Sequence, residues 1–137
     1  MSTPTYTTYH PVMSKDLNHH GTLYAGRTAE WFVESGFIAA ASLTKPENIV
    51  CLKIHGMTFT APVLLGSLAR FDSKVVYTGK SKIAVYIKLS IKDVDVVKGF
   101  ITFVNVDKDN KPLPHGVSIL PETEEEKEFY TAAQQLK

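Results

Sequence analysis

From residue 49 onward, apolar and polar positions fall into four successive runs with the period of a β-strand. The clearest is "KIAVYIKLSIKD", where Ile83, Val85, Ile87, Leu89 and Ile91 share one face and Lys82, Ala84, Tyr86, Lys88, Ser90 and Lys92 share the other. This predicts a strand with one dry face and one wet face. "IVCLKIHGMTFTAP", "SLARFDSKVVYTG" and "VVKGFITFVNVDK" have the same richness in Val, Ile, Tyr and Phe, with "VLLG", "TGKSK" and "KDVD" as the turns between them. Upstream the grammar is helical. "GTLYAGRTAEWFVESGFIAAASL" is apolar on nearly every side, with Thr22 as the expected cap and Pro46 in "TKPENI" as the stop. Residues 5–13 read as a first strand whose Pro11 favours an edge or an end. Pro121 and the acidic residues after it open a terminal helix. Strand, long helix, four strands, helix is an α+β order, and the short connections among the last four strands favour an antiparallel sheet wrapped around the helix. One domain is expected over 1–137, with 121–137 as a C-terminal helical extension.

Composition narrows the partners. Fifteen Lys and Arg against fourteen Asp and Glu give a net charge of +1, so no overall field recruits nucleic acid or an anionic membrane surface. An anionic ligand has to be met by local charge. The single cysteine, Cys51, cannot build an intramolecular disulfide framework and is expected as a small buried strand residue in a reducing cytoplasm. The N-terminus lacks the basic-then-apolar pattern of a secretion signal, and no run approaches the roughly 18 apolar residues of a membrane span. A cytoplasmic protein is expected.

The chemistry-bearing residues cluster at the helix. At 100° per residue Arg27, Glu30 and Glu34 fall within about 60° of one another. They form either a surface charge network or a site in which one carboxylate, Glu34 or Glu30, serves as general base or nucleophile. The helix start offers free backbone N–H groups from Gly21 to Gly26 where a carbonyl oxygen gains negative charge. Asn18 either holds its own turn or presents its amide to a carbonyl and a water. His19 and His20 have no Cys or carboxylate at ligand spacing, so no metal is expected, and His20 is a candidate proton carrier or substrate contact. His55 reads as a satisfied strand histidine, and Gly56 beside it suggests a bulge or a close backbone approach. Trp31, Phe32 and Phe37 read as packing residues.

Three patterns, in this order, resemble the hotdog fold of the acyl-CoA thioesterase superfamily: "NHHGTLYAG" at 18–26, "FTAPVLLGS" at 59–67 and "FVNVDKDNKPLPHG" at 103–116. The sequence departs from that family's pattern with Ala25-Gly26 in place of a Gly pair, Val33 at the usual carboxylate position with Glu34 one place later, and Ser67 in place of Asp. The resemblance implies hydrolysis of an acyl-CoA thioester to free acid and coenzyme A. It places Asn18 at the catalytic asparagine position and the helix start against a second subunit, in a homodimer or a dimer-based tetramer or hexamer. No cofactor is implied beyond the coenzyme A of the substrate. His20, Gly21 and Thr22 would border that substrate, and Lys80 and Lys82 at a hairpin, with Arg70 on the preceding strand, would meet its phosphates. The alternatives are a hotdog lyase that adds or removes water or ammonia, and a non-catalytic acyl-CoA binding protein.

Overall fold

The computed structural model describes residues 3–137. Strand β1 (Thr5–Pro11) leads through a one-turn 3-10 helix at Ser14–Asp16 to helix α1 (Ala25–Ala41). After a second such turn at Pro46–Asn48 come β2 (Ile49–Ile54), β3 (Leu68–Thr78), β4 (Lys82–Ile91) and β5 (Val94–Asn105), and the chain then forms α2 (Glu124–Gln134). The five strands make one antiparallel sheet in the order β1-β3-β4-β5-β2, which is the expected α+β arrangement.

α1 lies on the inner face of the sheet. Ile83, Val85, Ile87 and Leu89 of β4 are all fully buried against it, together with Phe32, Phe71 and Phe103, so the alternation in β4 reads directly into the core. The helix comes close at Gly36, where a Cβ would sit 3.0 Å from Ile87 Cδ1. Each buried side chain of this size stabilises by about 1.5–3 kcal/mol.

The wet outer face expected for β4 is corrected. α2 covers part of it, burying Val76, Ala84 and Ala133 among Tyr77, Tyr86, Phe100 and Phe129, with Tyr86 stacked on Phe129 at 4.2 Å. Only the helix residues that meet it make Ala84 a buried position and Tyr86 a half-buried one. α2 begins in a capping box: Thr123 Oγ1 accepts from Glu126 N–H and Glu126 Oε1 accepts from Thr123 N–H. A Lys74–Glu126 ion pair at 2.8 Å ties that first turn to β3.

Cys51 also differs from expectation. It is free and exposed on β2, which is an edge strand and is buried only at Ile49. Partial desolvation nonetheless pushes its thiol up from the ordinary value, against a lowering hydrogen bond from the Lys53 backbone. Among the described residues no helix is long and apolar enough to cross a membrane.

Candidate functional site

The start of α1 is built as an open helix end. Thr22 does not cap it. The helix begins at Ala25, so the N-cap is Tyr24, with no side-chain cap, and Thr22, two residues earlier, accepts from Asn18 Nδ2 at 3.1 Å. Asn18 folds the turn around itself, its Oδ1 accepting from His20 N–H at 2.9 Å and Thr22 N–H at 3.1 Å. The turn-holding role is therefore realised, and it fixes the amide in place while using only one of the two Nδ2 hydrogens in that bond.

The amides from Gly21 to Gly26 are thinned by the same fold. Gly21 N–H donates to Asn18 O, Leu23 N–H to Val63 O and Tyr24 N–H to Asp16 O. The first intrahelical bond is Thr28 N–H to Tyr24 O. Of that set only the Ala25 and Gly26 amides, with Arg27 beyond them, are left without an acceptor among the described residues and remain at the positive end of the helix. Gly26 lies beneath the Tyr24 ring, where a Cβ would overlap the ring edge.

Beside this end lies a cleft of about 330 Å³, with Asn18, Thr22, Ala25 and Thr28 on one side and Phe59, Thr60, Ala61 and Pro62 on the other. Its floor includes Leu89 and Val97, at 0% and 1% exposure, which face the core. The Phe59–Pro62 wall is fastened to β5 by Thr60 N–H and Oγ1, both donating to Val96 O. Polar donors on one rim and apolar walls below suit a carbonyl group attached to an apolar chain.

The glutamates lie elsewhere within the protomer. Neither lines this cleft. Glu30 is exposed and paired with Arg27 at 3.4 Å. Glu34, 56% exposed in its side chain, lies 3.8 Å from His10 Nε2. That imidazole stacks on Trp31 at 4.4 Å, with Phe71 edge-on. The three-residue charge network, one of the two readings of this helix face, is thus split, and Arg27 reaches Asp16 at 3.2 Å as well as Glu30.

Asp16, only 3% exposed, was not singled out by the sequence patterns, although an acid at the third position of a short turn is a capping signal. It also accepts from Met13 N–H at 2.9 Å and so pins the loop before α1 to the helix. Asp16→Ala is expected to cost about 1 kcal/mol by removing the acceptor of the part-buried Met13 N–H, while Arg27, about a third exposed, keeps water. Urea unfolding would show the lower midpoint with unchanged slope.

The basic residues do not converge on the cleft. Arg70 is paired with Asp72 at 3.1 Å, and Lys80 lies in the turn after β3, its carbonyl accepting from His115 N–H. Arg70 stands opposite Ser90 while Lys82 begins β4, so about 25 Å of strand separates Arg70 from Lys82. One phosphate cannot meet both. His19 and His20 contact each other, ring centroids 4.1 Å apart.

Comparison with known proteins gives this geometry its family. The model of the thioesterase superfamily matches residues 20–98. The chain is 29% identical over 132 residues to the uncharacterized acyl-CoA thioester hydrolase YkhA of Bacillus subtilis, covering 90% of this chain and 74% of that protein. It superposes on an apo-hexameric acyl-CoA thioesterase with a TM-score of 0.86 at 25% identity, over 95% of this chain and 86% of the other. An acyl-CoA hydrolase from Staphylococcus aureus, solved with butyryl coenzyme A, coenzyme A and coenzyme A disulfide, matches with a TM-score of 0.83 at 27% identity, over 96% and 82%. With more than half of its length under the family model and its sheet and helix in the hotdog arrangement, the chain belongs to the thioesterase superfamily.

Proposed function

We propose that this protein hydrolyses an acyl-CoA thioester to the free acid and coenzyme A, as a homo-oligomer in the cytoplasm. The observation that carries the proposal is the uncapped start of α1 beside Asn18, opening on an apolar-floored cleft. In this mechanism the thioester carbonyl oxygen lies against the Ala25 and Gly26 N–H groups, which stabilise the negative charge it gains as water attacks. Asn18, held by its own turn, orients the water or the carbonyl, and His20, Gly21 and Thr22 border the acyl thioester. Glu34 takes the proton of the attacking water; the C–S bond then breaks, and the leaving thiolate takes that proton from Glu34 to become the coenzyme A thiol. Because Glu34 lies outside its own protomer's cleft, the carboxylate serves the cleft of a second copy, and an oligomer is part of the mechanism. The hexameric assembly named for the apo thioesterase relative and the butyryl coenzyme A bound to the Staphylococcus aureus relative support self-association and this substrate class. The free, exposed Cys51 suits a reducing compartment.

Thiol release from short, long and aromatic acyl-CoA substrates tests the assignment. Steady turnover of at least one class is expected. An intact thioester with every substrate, or a modified acyl chain still joined to coenzyme A, would overturn it in favour of a binding protein or a lyase respectively.

A further inference from the structure

The outer face of the sheet carries a second hollow, of about 350 Å³, beside the C-terminal end of α2. Two breaks in strand register assemble its lining. In β2, Cys51 stands opposite the core residue Phe103 and Lys53 opposite Thr102, with Leu52 as the extra residue between them. On a regular two-residue period Lys53 would follow Cys51 to the helix side of the sheet. The bulge turns Lys53 outward, and with it His55, whose N–H donates to Phe100 O. β3 repeats the device: Val75, opposite Val85, faces the core, Val76 is the extra residue, and Tyr77, opposite Ala84, is turned outward.

Both bulges therefore deliver side chains to one place, where Lys82 of β4 joins them. Its described lining contains no Asp or Glu, which is a local positive excess on a chain of net charge +1. The His55 ring is held in position, Nε2 lying 2.7 Å from the hydroxyl of Thr102, a residue only 9% exposed. Burial first, and then the charge of Lys53, hold that imidazole below its ordinary value, so near neutral pH it offers a hydrogen bond beside the three lysines of the lining, Lys53, Lys82 and Lys137. Lys53 Nζ donates to the main-chain oxygen of Lys137, an acceptor at this rim that a bound phosphate would replace.

We infer that this hollow binds the phosphate group of a small molecule, with Lys53 and Lys82 as counter-charges and His55 and the Tyr77 hydroxyl as hydrogen-bond partners. Two ammonium groups match a phosphate dianion, where a single carboxylate would leave one uncompensated. The sheet separates the hollow from the Asn18 cleft. The cleft is floored by the inward residues Leu89 and Val97, and the hollow by Ala84 and Thr102 of the outer face. The phosphate site therefore stands whether or not the chain turns over a thioester.

The test is an amide NMR titration of the full chain with inorganic pyrophosphate. Saturable shifts are expected at His55, Thr102 and Ala84 and none at Asn18 and Thr22, with Kd raised at least tenfold in the Lys53→Ala, Lys82→Ala double variant at unchanged melting temperature. No saturable shift, or the same Kd in the double variant, overturns the inference. Coenzyme A identifies the source of the phosphate. Shifts at His55 and Asn18 together mark it as the substrate's own, whereas a hollow that answers pyrophosphate but not coenzyme A takes a free phosphate compound.

Discussion

Glu34→Gln is expected to lower kcat/KM for the best acyl-CoA substrate at least about a hundredfold, a loss of roughly 2.7 kcal/mol of transition-state stabilisation. The amide keeps the size and polarity of the side chain but cannot take a proton from water. An exposed pair such as His10–Glu34 contributes little to folding, so the melting temperature should hold while turnover falls. Glu30→Gln is the matched control, since Glu30 is exposed and already paired with Arg27, and it should retain most of the activity. Loss in Glu30→Gln with full activity in Glu34→Gln would transfer the role of base to Glu30. Full activity in both would remove the helix carboxylates from the mechanism while leaving the fold and the cleft unchanged.

Gly99→Ala should damage stability and activity together. A Cβ at this position would overlap the carbonyl oxygen of Gly56, a backbone atom that cannot swing aside as a flexible side chain can. The segment carrying it is fastened on both sides, His55 N–H to Phe100 O and Thr60 N–H to Val96 O, so relief requires breaking one of these bonds or bending β5. The expected cost is about 1–3 kcal/mol, visible as a drop of several degrees in Tm. The same segment continues into the Phe59–Pro62 wall of the cleft. A displacement of about 1 Å there is enough to lower kcat/KM by one to two orders of magnitude. Gly79→Ala, where the nearest atom would be 3.8 Å away, should be close to neutral on both measures. Wild-type Tm and turnover in Gly99→Ala would show that the 55–60 segment does not press on β5 in solution.

What the sequence makes legible follows from how local each feature is. The β4 alternation depends on a period of two and carries straight into the buried face of Ile83, Val85, Ile87 and Leu89. The breadth of the apolar surface on α1 likewise shows a helix held inside a sheet, and Gly56 marks the close approach to Gly99. Features set by distant partners do not show. The outward residues Ala84 and Tyr86 look solvated until α2 supplies Ala133 and Phe129. Cys51 looks buried because its neighbours are apolar, yet strand order leaves β2 at an edge. Arg27 sits at helical spacing from Glu30, but its buried partner is Asp16, in the 3-10 turn before the helix. A bulge such as Leu52 changes which face every later side chain takes, and nothing in "IVCLKI" marks it. For the site, Asn18 and the helix start are legible because turn chemistry is local, whereas the Phe59–Pro62 wall is brought to them by the sheet.

The pairing of β1 with β3 also governs how this chain emerges from the ribosome. A strand that ends at Pro11 finds its hydrogen-bonding partner only from Leu68 onward, and β2 waits for β5. Until those later strands have cleared the exit tunnel, Trp31 and Phe32 have no sheet to cover them. The first half of the nascent polypeptide therefore exposes these side chains until the later strands arrive, and slowing translation before residue 68 should increase aggregation rather than relieve it.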